Sequence, residues 1–218
     1  MSTESNDRIA PAGTMGEEPA LDPREALRII DEQNLEAVRT LRYADWISYV
    51  TWGLAYLIGY LPLALSRGPN AIVDIPLEVA IGSFYVCLGV GIAVSVIQPL
   101  RLRGVKGANS TRGAYYGASW WLSFLAVGML IRFLSESGID GDVLGIAINS
   151  IAIAVVGALM MAGGAIFLDR TQFITGVIIA VCLSVALLIG LSYYYWIMSL
   201  AVGGSLLVAA VVSRRRMV

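Results

Sequence analysis

Six runs of apolar residues, each near the about 20 residues that a membrane crossing requires, fill the chain from Trp46 onward, at residues 46–65, 77–98, 115–134, 143–168, 173–191 and 196–212. A helix rises about 1.5 Å per residue and a hydrocarbon core is about 30 Å thick, so each run predicts one spanning helix. Only residues 192–195 separate the last two runs, which leaves a tight helical hairpin and a re-entrant pair both open.

Ahead of the first run the pattern changes. Asp22-Pro23-Arg24-Glu25 combines a capping residue, a proline at the first helical position and a Glu three residues after the cap, the pattern of a capping box. A helix is expected from there to about Ala44. Leu27, Ile30, Ala37, Val38 and Leu41 share one stripe, while Arg28, Glu32, Glu36 and Arg39 take the other side. A helix lying in lipid wants a polar face dominated by Lys and Arg. The mixed signs here favour docking on the protein's own loops or on a second copy; the plainer alternative is a helix that extends the first span. Residues 1–21 carry no apolar periodicity and predict a disordered tail. They lack the basic and apolar regions of a signal peptide, so the first span is expected to serve as an uncleaved signal anchor.

The expected fold is therefore all-α, a polytopic transmembrane bundle of six spans (45–213), preceded by an N-terminal cytoplasmic amphipathic helix (22–44) and followed by a short basic tail (214–218). Composition agrees: 57% of residues are hydrophobic and 14% charged, far from soluble averages. The net charge of −1 hides a strong asymmetry. With this topology, thirteen of the fifteen Lys and Arg residues fall on one side: Arg8, Arg24, Arg28, Arg39, Arg42, Arg101, Arg103, Lys106, Arg112, Arg170, Arg214, Arg215 and Arg216. Arg67 and Arg132 fall on the other. Basic residues beside a span resist translocation, so both termini are expected in the cytoplasm, with the chain in the inner membrane of a bacterial cell. Trp46, Tyr115 and Tyr116 suit an inner aromatic belt, and Tyr193, Tyr194, Tyr195 and Trp196 an outer one.

Candidate chemistry is sparse. Histidine, the commonest general base and metal ligand, is absent. Cys87 and Cys182 lie inside apolar runs, where a thiol packs as a small hydrophobe. No cofactor, metal site or nucleic-acid partner is expected. Arg132 lies about one turn inside a span end, where its side chain can snorkel or pair with Glu136 or Asp142. Asn149 is a strongly polar amide in a span interior with Ser150 beside it, a pair suited to holding helices together or to a polar ligand. Small residues recur every four positions at Ser150, Ala154, Ala158 and Ala162, at Gly176, Ala180 and Ser184, and at Ala201, Ser205 and Ala209. These ridges predict a tight sub-bundle of the last three spans. The glycines among Arg101, Arg103, Lys106 and Arg112 do not have the spacing of a phosphate-binding loop. Those cations and Arg214, Arg215 and Arg216 are candidate contacts for anionic lipid or a cytoplasmic protein.

Trp52-Gly53-Leu54-Ala55, Ser110-Thr111-Arg112-Gly113, Tyr116-Gly117-Ala118-Ser119-Trp120, Asp169-Arg170-Thr171-Gln172 and the 198–204 segment follow the Ala26-Leu27 to Glu32-Gln33 helix. Over residues 22–212 this order resembles uncharacterised bacterial six-span integral membrane proteins, sometimes loosely labelled transporters. The resemblance implies the six-span architecture and brings no catalytic residues with it. The leading expectation is a non-enzymatic accessory or sensor-like component, partnered by the bilayer and by a cytoplasmic protein or a second copy. The alternative is a small permease or channel for an apolar or weakly polar solute. An intramembrane enzyme ranks third, for want of an acid or base at mid-depth.

Overall fold

The computed structural model describes residues 22–67, 71–101 and 110–215, and the elements among them are all helical. Residues 1–21, Arg103, Lys106, Arg216 and most of the basic stretch lie outside the described residues, as do the side chains of Arg101 and Asp142. The helices are α1 (Pro23–Ser66), α2 (Leu77–Arg101), α3 (Ser110–Ser135), α4 (Gly141–Phe167), α5 (Arg170–Ile189), α6 (Leu191–Trp196), a π-helical segment (Ile197–Val202) and α7 (Gly203–Arg215). Six stretches are long and apolar enough to cross a membrane: Asp45–Ser66, Leu77–Gln98, Thr111–Ser135, Val143–Phe167, Arg170–Ile189 and Tyr193–Arg215. By length and composition these helices fit a multi-pass membrane protein.

The described residues up to Val38 form one unit and those from Arg39 onward another. In the first, Asp22 Oδ1 accepts the Arg24 N–H at 3.1 Å, as the capping pattern predicts. Arg28 reaches Glu25 at 3.8 Å and Glu32 at 3.7 Å. These pairs are exposed and contribute at most about 1 kcal/mol each.

In the second unit the core comes from α1, α4, α5 and the sixth span, with Tyr60, Ile153, Ile179, Tyr194, Met198 and Val202 at its centre. The α2 and α3 helices are peripheral: 11% and 6% of their most apolar stretches are buried, against 44% in the sixth span. Lipid covers outward faces as well as another helix would, so helix contacts depend on close packing. Glycine makes that packing at three places. Gly157 and Gly176 bring α4 and α5 together, Gly164 lies against the Phe173 backbone, and Gly203 lies against Leu57. The alanine ridge of α4 does not share this role. Ala154, Ala158 and Ala162 face outward, because helix α4 turns Gly157, Met161 and Gly164 toward α5.

The last two spans form a full hairpin, with α7 running back along α5. The turn lies at Gly190 (φ 86°, ψ −169°), in a region that an L side chain does not accept, and not at residues 192–195. Residues 193–195 are helical, and Tyr194 is 1% exposed instead of joining a headgroup belt. Its hydroxyl has a polar partner inside the bundle, which makes that burial tolerable.

The sixth span buries Tyr194, Met198, Val202, Leu206 and Ala210, each four after the last, together with Ser199, Gly203, Ala209 and Ser213. In an α-helix four residues turn about 400°, so such a stripe drifts by about 40° per step. The π segment, with its wider i→i+5 turn, takes up the drift and keeps the stripe facing the core.

The α4–α5 connection is two residues long. Leu168 adopts φ 55°, the Asp169 N–H closes on the Gly164 carbonyl at 2.9 Å, and the Asp169 carboxylate accepts the Thr171 N–H at 2.8 Å. Asp169 therefore finishes one helix in a Schellman turn and caps the next.

Candidate functional site

Polar side chains inside the second unit gather at three seams. The first joins α1, α4 and α6. Tyr60 donates its hydroxyl to Asn149 Oδ1, and Ser150 Oγ and Tyr194 Oη lie 2.9 Å apart. Tyr60 is 1% exposed and is surrounded by rings, with Tyr56 at 5.5 Å, Phe84 at 4.8 Å and Tyr195 at 6.5 Å between centroids. Ser199 adds a bond from the π segment to the Leu57 carbonyl at 2.9 Å.

The second seam joins α3, α4 and α5. Tyr116 donates to the Leu159 carbonyl at 2.8 Å and accepts from Gln172 Nε2 at 2.9 Å. A Cβ at Gly163 would collide with both side chains, so the glycine leaves the room they occupy. Tyr116 is thus a packing residue, while its neighbour Tyr115 is 72% exposed.

The third seam is the α1–α2 contact, where Trp52 Nε1 donates to Ser95 Oγ at 2.9 Å and Ser48 Oγ to Gln98 Oε1 at 2.9 Å. Gln98 Nε2 is buried there with no partner among the described residues. A crevice of about 20 Å³, lined by Trp52, Ala55, Tyr56, Phe84 and Leu88, opens alongside. That volume accommodates about one water and no larger solute.

The charged candidates sit at the ends of the spans. Arg132 bonds Glu136 Oε1 at 3.3 Å across one exposed helical turn. Arg112 begins α3 and is exposed. Arg214 lies 5.3 Å from the Trp46 ring centroid, with Arg215 exposed beside it. Among the described residues no three His, Cys, Asp or Glu side chains converge to hold a metal ion.

Asn149 and Ser150 stand out in the sequence because they are polar within an apolar run. Tyr60 and Ser199 do not, since Tyr and Ser are ordinary in membrane helices, and their signal appears only once Asn149 and Leu57 are placed against them. No protein-family model, curated protein or solved structure matches the chain.

Proposed function

We propose that the chain is a non-enzymatic accessory or sensor-like component of a bacterial inner membrane. Both termini face the cytoplasm in this reading, and the helical segment 22–44 engages a cytoplasmic protein. The observation that carries it is the division of polar groups. Deep in the spans, Tyr60, Asn149, Ser150, Tyr194 and Ser199 bond helix to helix, a use that contributes to assembly. At the start of α1, by contrast, Arg24, Glu25, Arg28 and Glu32 are exposed together with Leu27, which is 62% exposed. An apolar side chain among mixed charges is what an opposing helix recognises.

A photo-crosslinking residue at Leu27 in the full chain, expressed in a bacterial cell, tests the reading. The expected result is one discrete adduct with a second protein, lost when Arg28 and Glu32 are both reversed in charge. Adducts with lipid or with the chain itself alone, or solute flux through the purified protein in liposomes, would overturn it and favour the permease.

A further inference from the structure

We infer that the end of the bundle bearing Arg112, Arg170, Arg214 and Arg215 holds anionic phospholipid headgroups. The helix contacts bring these residues to one end. Trp46 of α1 meets Arg214 of α7, Gly164 at the close of α4 meets Phe173 near the start of α5, and Gln172 of α5 bonds Tyr116 of α3. Arg170 therefore lies two residues before one partner of this last bond, and Arg112 one turn before the other.

All four arginines are exposed. Arg112, Arg170 and Arg215 have no ion pair or hydrogen-bond partner among the described residues, and Arg214 has the Trp46 ring. Among the described residues two carboxylates, those of Asp45 and Asp169, share this end with the four guanidinium groups, so positive charge is in excess there. The opposite end is built differently: its two arginines are Arg67, which is half-buried, and Arg132, which is held by Glu136, and Asp74, Glu78 and Asp140 add negative charge.

The aromatic residues at the arginine end decide which anion fits. Tyr43 is 55% exposed and Tyr115 72% exposed, and Trp46 lies between Tyr43, 5.7 Å away, and Arg214. Rings of this kind settle at the boundary between acyl chain and headgroup. A guanidinium at the same level meets a phosphate, which it can grip with two parallel N–H bonds. An acidic peptide would satisfy the arginines and leave the rings in water. This inference is independent of the partner assigned to the segment 22–44.

The test reconstitutes the full chain in phosphatidylcholine vesicles containing a minor fraction of brominated phosphatidylglycerol and reads the relative association constants of the two lipids by tryptophan quenching. The chain is expected to prefer phosphatidylglycerol, and replacing all four arginines by Gln is expected to lower the preference by up to about 600-fold and by no less than about tenfold, since each guanidinium contributes up to about fivefold. Replacing all four by Lys keeps most of the preference, and Arg132→Gln keeps all of it. If the fourfold Gln variant does not fold, Arg112→Gln with Arg170→Gln, both away from Trp46, replaces it. Equal association of both lipids with the unaltered chain, an undiminished preference in the Gln variants, or an equal loss in Arg132→Gln would overturn the inference.

Discussion

Ser199 donates its hydroxyl to the Leu57 carbonyl at 2.9 Å, and one turn later Gly203 leaves space in which an added Cβ would stand 2.9 Å from the Leu57 amide nitrogen. Both contacts fall on one residue of α1, one turn before Pro62, which has no N–H to offer the Ile58 carbonyl. The sixth span therefore braces α1 next to the weakest point of its backbone ladder.

Gly203→Ala forces a methyl onto backbone, which cannot yield as a side chain can, and is expected to destabilise the protein by about 1–3 kcal/mol. Gly204 has open space where its Cβ would stand. Gly204→Ala should therefore be neutral or stabilising by up to about 1 kcal/mol, the helix-propensity gain. Thermal unfolding of the two variants in one detergent separates close approach from glycine content as the cause.

The Tyr60–Asn149 bond should appear as a coupling between two otherwise conservative changes. In a cycle of Tyr60→Phe, Asn149→Ala and the double variant, the coupling is expected at about 0.6 kcal/mol and below about 2 kcal/mol, the range of inter-helix hydrogen bonds in bilayers. Tyr193→Phe, at a residue that is 50% exposed, serves as the silent control. Additive effects of the pair in denaturant unfolding would show that the bond contributes nothing to assembly.

Backbone conformation sets a third pair of outcomes with opposite signs. Leu168, 88% exposed at φ 55°, carries the αL cost of an L side chain, so Leu168→Gly should stabilise by about 1 kcal/mol. Gly190 at φ 86° is the reverse case, and Gly190→Ala should destabilise by about 1–3 kcal/mol. Unfolding midpoints of the two variants, measured side by side, check both directions.

Lengths of apolar runs were enough to place the six spans, and Leu77–Gln98 falls where the apolar run puts it, because hydrocarbon thickness constrains every span alike. The azimuth of each helix was far less legible. Ala154, Ala158 and Ala162 have the spacing of a contact ridge, yet a period of four marks only which residues share a face, not which neighbour that face meets. Gly157 and Gly164 lie on another face of α4, and it is that face which meets α5. The connection between the last spans was misplaced for a related reason. Three consecutive tyrosines followed by a tryptophan resemble an interfacial belt, and only the Ser150 hydroxyl opposite Tyr194 shows why one of them is carried into the core. The π segment has a trace in the four-residue steps from Tyr194 to Val202, but those steps are informative only when the buried face is already known.

A one-residue joint at Gly190 also constrains how the protein is made. Nothing longer than that residue links Ile189 to Leu191, so no slack exists to be drawn across the bilayer after α5 has settled. The two final helices are therefore expected to enter the bilayer together, as one folded-back pair.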